Sequence, residues 1–177
     1  MENEINALKE KFISSDWITL KNSAEKLILL KGEEYVSNYL IYLLNSNEPE
    51  IRNNSALVIE ELKIQKALEP LLESIFKEEN KDFNGTLVFA LSSLNCSKKL
   101  KEIFKILFYY AYEAKMSAIS VLEEQTFEFT KKDLFEINTM WENCILNPET
   151  CIEYNNPKVR EEMQNCVDGF RNYLKKE

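Results

Sequence analysis

The sequence predicts an all-α protein, an α-solenoid of about five antiparallel helix pairs. Three observations carry this. Glycine and proline number only three and four in 177 residues, too few for the tight turns of a sandwich or barrel, or for the glycine-rich ligand loops of a doubly wound sheet. Apolar residues recur at the i, i+3, i+4, i+7 spacing of amphipathic helices. A short apolar pattern also returns along the chain at intervals long enough for two helices and two turns.

The recurring segments are Lys26-Leu-Ile-Leu-Leu30, Val58-Ile-Glu-Glu-Leu62, Ala90-Leu-Ser-Ser-Leu94, Ala118-Ile-Ser-Val-Leu122 and Cys166-Val-Asp-Gly-Phe170. Their starts are 32, 32, 28 and 48 residues apart, and Lys21-Asn-Ser-Ala24 matches Asn53-Asn-Ser-Ala56 at the same offset of 32. The first pair is expected at 3–14 and 16–31. The second is expected at 33–46, on the stripe Tyr35, Val36, Tyr39, Leu40 and Leu43, and at 49–63. The turn Asn45-Ser-Asn-Glu-Pro49 divides them and places Pro49 in a first turn, where its missing N–H costs nothing.

The third pair is expected at 65–79, on Leu68, Leu71, Leu72 and Ile75, and at 83–95, with Gly85 in a first turn where it costs stability. The fourth is expected at 98–111, on Leu100, Ile103, Phe104 and Leu107 with Ser97 as N-cap, and at 112–125. Tyr109, Tyr110 and Tyr112 at that junction read as core and rim packing. The fifth is expected at 131–147, on Leu134, Ile137, Met140, Trp141 and Cys144, and at 157–175, after Asn155-Asn-Pro157. The longer last interval suits an atypical terminal pair that caps a solenoid.

A chain of this length fits one domain, 1–177, and its 45% apolar content is enough for a core without metals or disulfides. The start, Met1-Glu2-Asn3-Glu4, is acidic and lacks the apolar run of a secretory leader. The most apolar stretches, 35–44 and 103–112, are too short to span a bilayer. A cytoplasmic protein is expected, with no membrane partner. Cys96, Cys144, Cys151 and Cys166 form no C-x-x-C pair, so reduced, partly buried thiols are expected.

The run Glu48-Pro-Glu-Ile-Arg52, continuing Asn-Asn-Ser-Ala-Leu-Val-Ile-Glu-Glu-Leu62, resembles a HEAT repeat. In that family a Pro and an acidic residue open the turn, a hydrophobic–Arg pair starts the second helix, and an Ala-Leu-x-x-Leu core follows. Asn156-Pro-Lys-Val-Arg160 repeats the turn, whereas Lys81-Asp-Phe-Asn-Gly85 has neither Pro nor Arg. The resemblance covers most of the chain and is specific in two turns. More narrowly, Gly85-Thr-Leu-Val-Phe-Ala-Leu91, Leu94-Asn-Cys-Ser97 and Tyr112-Glu-Ala114 resemble short bacterial HEAT-like proteins encoded beside polymorphic toxins. Those are thought to act as immunity proteins, which implies a toxin domain such as a nuclease as the partner.

No histidine is present, which removes the Ser-His-Asp and Cys-His nucleophile pairs and histidine metal ligation. Three scattered glycines cannot form a phosphate-cradling loop. Carboxylates are plentiful, but on helix surfaces they read as solvated faces, so neither an enzyme nor a cofactor is expected. The net charge of −8 and pI near 4.9 argue against a nucleic-acid partner, which needs clustered cations. The one basic cluster, Lys98, Lys99, Lys101, Lys105 and Lys115, is offset by Glu102 and Glu113 and reads as a solvated helix face.

The acidic excess concentrates in residues 31–82, with 11 acids and six bases, and in residues 123–168, with 11 acids and four bases. Besides aiding solubility, such a field steers a basic protein partner. In a solenoid the second helices line the concave face. With Ile51, Ser55, Val58, Ile59 and Leu62 facing the core, the opposite stripe holds Asn53, Leu57, Glu60 and Glu61. The repeat offsets add Thr86, Phe89, Ser92 and Ser93, then Glu113, Ser117 and Ser120, then Glu161, Asn165 and Asp168. The expected partner surface thus has an apolar middle, Leu57 and Phe89, and acidic ends. The rival to an immunity protein is an adaptor scaffold of the same fold within a larger assembly.

Overall fold

The computed structural model describes residues 2–14 and 16–173. Among the described residues every regular element is helical and there is no strand. Cα packing divides the chain into two compact units, Met1–Leu94 and Asn95–Glu177.

Unit 1 holds α1 (Glu2–Ser14), α2 (Trp17–Lys31), α3 (Glu33–Leu43), α4 (Pro49–Glu61), α5 (Leu68–Phe76) and α6 (Gly85–Phe89). Asp16 caps α2, accepting from the Thr19 N–H at 3.2 Å and from its hydroxyl at 2.9 Å. Gly32 ends α2 at φ 89° and ψ 161°, a region open almost only to glycine, and α3 starts at the next residue. Pro49 opens α4 as expected.

The 32-residue repeat is visible in the packing of this unit. Leu20, Ser23, Ala24 and Leu27 of α2 are buried. So are Arg52, Ser55, Ala56 and Ile59 of α4, each 32 positions on. Another 32 positions on, Asn84, Leu87, Val88 and Leu91 are buried too. This is one i, i+3, i+4, i+7 stripe used three times. Its first two copies have small residues at the centre, Ser23 with Ala24 and Ser55 with Ala56, where the third has Leu87 and Val88, and polar members bond to carbonyls. Ser55 Oγ donates to Leu40 O at 2.6 Å, and beside the stripe Asn54 Nδ2 reaches Phe12 O at 3.0 Å.

Unit 2 holds α7 (Leu100–Tyr109), α8 (Tyr112–Glu124), α9 (Lys131–Leu146) and α10 (Pro157–Arg171). Its core is aromatic: Phe104 meets Phe108 at 5.6 Å and Phe170 edge-on at 5.4 Å, and Phe108 meets Trp141 at 5.6 Å. Thr130 and Asp133 form a capping box at the start of α9, and Asn156 caps α10. Tyr110 is buried, Tyr109 half-buried and Tyr112 exposed.

Several expectations need correction. The helix expected at 65–79 is a 3-10 turn (Gln65–Ala67), then α5, then a second turn (Glu78–Asn80). Lys77 is extended, and Asn80 Nδ2 takes over the Ser74 carbonyl at 2.8 Å. The helix expected at 83–95 is α only over Gly85–Phe89 and tightens to 3-10 over Ala90–Ser93. Glycine at its start and paired serines at its end both favour other backbone conformations. Ser97 caps nothing: its N–H donates to Asn95 Oδ1 at 3.0 Å and its carbonyl accepts from Glu128 N at 2.8 Å, so the turn consumes it. Leu62, expected in the core, is half-buried. Met1 and the expected end of the last helix at 175 lie outside the described residues.

No described helix is long and apolar enough to cross a membrane. None of the four cysteines forms a disulfide; Cys96, Cys144 and Cys151 are buried and Cys166 is half-buried.

Candidate protein-binding surface

In unit 1 the expected surface residues lie on α4 and α6, which pack against each other. The stripe on α4 is less open than the simple helix-pair picture required. Asn53, Leu57 and Glu60 are half-buried and only Glu61 is exposed. The physical reason is that α4 is the hub of its unit, packed by α1, α2, α3 and α6, so no full face is left to solvent. Asn53 Oδ1 is covered and has no hydrogen-bond partner.

Glu61 pairs with Lys21 of α2; its hydrogen bond and charge push the Lys21 pKa up from the usual lysine value. On α6, Thr86 is half-buried, as are Ser92 and Ser93 beyond it. Phe89 is 44% exposed, as a partner contact requires. It is not the most exposed apolar side chain of the unit, since Leu29 at 86% and Tyr42 at 71% stand further out.

In unit 2 the acidic positions are open. Glu113 is exposed in the first turn of α8, with Ser117 half-buried and Ser120 exposed on the same helix. Glu161, Asn165 and Asp168 are exposed along α10, which packs on α8. Asp168 meets Arg171 Nη1 at 3.5 Å. Glu161 also lines a cavity of about 480 Å³ with Trp141, Ile145, Tyr154 and Arg160. The Arg160 guanidinium lies 5.5 Å from the Tyr154 ring centre, and Trp141 Nε1 donates to Gln164 Oε1 at 3.1 Å. Sequence reasoning missed Tyr154 because it sits in the turn between α9 and α10, where no helical stripe marks it. The expected residues therefore form two sets, one in each unit.

The basic cluster is not the uniform solvated face expected of it. Lys101 bridges Asp133 at 3.3 Å and Glu136 at 2.9 Å. Lys115 is fully buried, at 0% exposure, and occupies the repeat position of Ser55 and Leu87. Its ammonium donates to Leu107 O, lies 3.4 Å from Phe108 O and approaches Met163 Sδ at 3.6 Å. Those carbonyls end α7, where the helix dipole favours a cation. Burial pushes the Lys115 pKa down, opposed chiefly by Cys151.

Cys151 Sγ touches the same thioether at 3.9 Å. The Cys144 thiol is pushed up by its hydrogen bond with Cys151 and by burial, while that bond and Lys115 hold Cys151 below the usual thiol value. Among the described residues no group of three or more Cys, Asp or Glu is placed to hold a metal ion. What the described surface offers chemically is carboxylates beside exposed aromatic and aliphatic side chains. Comparison of the chain with protein-family models, curated proteins and solved structures gives no match.

Proposed function

We propose that this chain is a protein-binding module of HEAT-like solenoid form, acting as an immunity protein that occupies and neutralises a basic toxin domain, such as a nuclease, in the bacterial cytoplasm. One observation carries the reading. Unit 1 contains 16 acidic and ten basic residues, so at least six carboxylates have no cation of their own unit to neutralise them. A field of that sign accelerates encounter with a basic partner and repels nucleic acid. Phe89 and Leu57, beside Glu60 and Glu61, supply the apolar contact that retains a partner once docked. The absence of histidine from the sequence and the solvated setting of the carboxylates support binding rather than catalysis.

The test is affinity capture from the native lysate at low salt, followed by co-production of the captured protein with and without this chain. The expected result is a basic partner whose toxicity the chain relieves. An acidic partner would overturn the electrostatic argument. A partner held in a larger assembly, with no inhibition, would favour the adaptor scaffold instead.

A further inference from the structure

We propose that unit 1 carries a binding site for a small organic carboxylate, in a pocket where the Arg52 guanidinium is the anion receptor. The inference is independent of the protein-binding reading. The pocket measures about 310 Å³ and is framed by two turns, the one between α3 and α4 and the one between α5 and α6. Asn45, Ser46, Lys77, Glu79 and Asn80 supply its polar lining, and Leu44, Pro49 and Phe83 its apolar walls.

Arg52 is only 3% exposed. Its Nη1 donates to Ser46 O at 2.7 Å, no carboxylate among the described residues lies within ion-pair distance, and the buried Nε has no hydrogen-bond partner. A guanidinium withdrawn from water without an ion-paired anion is costly to the fold, and burial accordingly pushes its pKa below the usual arginine value, opposed by the charge of Glu79. Packing alone does not demand a cation there. The equivalent positions of the repeat are Leu20 and Asn84, and both are buried.

Three features select a carboxylate. The Arg52 guanidinium lines the pocket beside its bond to Ser46 O, and its planar, permanent charge favours a carboxylate. Pro49 lines the pocket at the first turn of α4, so the positive end of a 13-residue helix points toward it. Lys77 adds a second cation, its ammonium held by Asn45 Oδ1 at 2.8 Å. The apolar walls favour an organic acid over an inorganic oxyanion. Glu79 opposes the ligand, because its charge already supports Arg52 through space and would repel an arriving carboxylate.

The test uses acetate and succinate as probes, with chloride and inorganic phosphate as references at equal ionic strength. The unfolding midpoint is read alongside the Arg52 Nε–H resonance in a titration of the full-length protein. Acetate or succinate should raise the midpoint above its value in chloride and move the Nε–H signal together with the amides of Ser46 and Asn80. Arg52→Gln should abolish the difference between carboxylate and chloride. Glu79→Gln, which keeps Arg52, should lower the apparent dissociation constant roughly three- to tenfold by removing one repulsive charge, and it serves as the readout should Arg52→Gln fold poorly. An Nε–H signal that carboxylates leave unmoved would overturn the site. So would equal responses of wild type and Glu79→Gln. Stabilisation by phosphate but by neither carboxylate would overturn the ligand class.

Discussion

Arg52 and Lys115 are cations that the fold takes out of water, and it treats them differently. Lys115 is given backbone carbonyls and two sulfur neighbours, Met163 and Cys151, whereas Arg52 is given one carbonyl and a pocket. Lys115 makes a pH-dependent prediction. Its folded-state pKa lies below the ordinary 10.5, so between those two values the native protein holds fewer protons than the unfolded chain. Stability contributed through this residue therefore rises with pH across that window. Denaturant unfolding of wild type and Lys115→Met should show the stability difference moving in favour of wild type between pH 7 and pH 10. A constant difference, or one moving the other way, contradicts the buried, desolvated amine.

The thiols give a second prediction. Burial pushes Cys96 up to about 11 and Cys166 up to about 12, which leaves little thiolate near pH 8. Alkylation in the native protein should be slower than in denaturant by about 100-fold at Cys96 and about 1000-fold at Cys166, read by mass spectrometry of labelled peptides. Native labelling at the denatured rate would show that they are not packed as described.

At the scale of elements, two backbone devices can be separated by mutation. At Gly32 an added Cβ meets nothing within 4 Å, so Gly32→Ala should cost about 1–3 kcal/mol through φ and ψ alone. Thr130→Ala removes one half of the α9 capping box and should cost about 0.5–2 kcal/mol. Both are read by denaturant unfolding, and a neutral Gly32→Ala would mean that the α2–α3 corner relaxes.

The longer helices among the described residues were legible because their stripes are long and because Pro49, Asn156 and Pro157 do the work that end signals usually do. The breaks after Phe76 and Phe89 were not legible. They depend on side chains that claim carbonyls from a distance in sequence, as Asn80 does with Ser74, and no local pattern announces that. Ser97 misled for a related reason: its capping chemistry was sound, but the turn used its backbone first. The burial of Arg52 could have been found, since the 32-residue offset aligns it with Leu20 and Asn84. Lys115 could be placed in the same way, by its offset of 28 from Leu87.

At the scale of the molecule, charge is what distinguishes this chain. The net −8 is concentrated in unit 1, and the expected partner residues divide between the two units. Within unit 1 the half-burial of Asn53, Leu57 and Glu60 leaves Phe89 with Leu57 as the apolar contact of the proposed surface, and Glu60 and Glu61 as its charges. Rim charges act on association rate and its salt dependence, while anchors act on dissociation. The two kinds of variant should therefore differ in kind. Phe89→Ala should accelerate dissociation by an amount worth about 2 kcal/mol and leave association nearly unchanged.

The measurement that bears most directly on the central claim is the association rate of the captured partner as a function of ionic strength, for wild type and for Glu60→Lys with Glu61→Lys. The account predicts a wild-type rate that falls steeply as salt rises, and a double variant that associates more slowly at low salt with a flattened salt dependence. A wild-type rate indifferent to salt, or a double variant indistinguishable from wild type while Glu69→Lys or Glu73→Lys on α5 slows association, would contradict it and move the binding surface to α5.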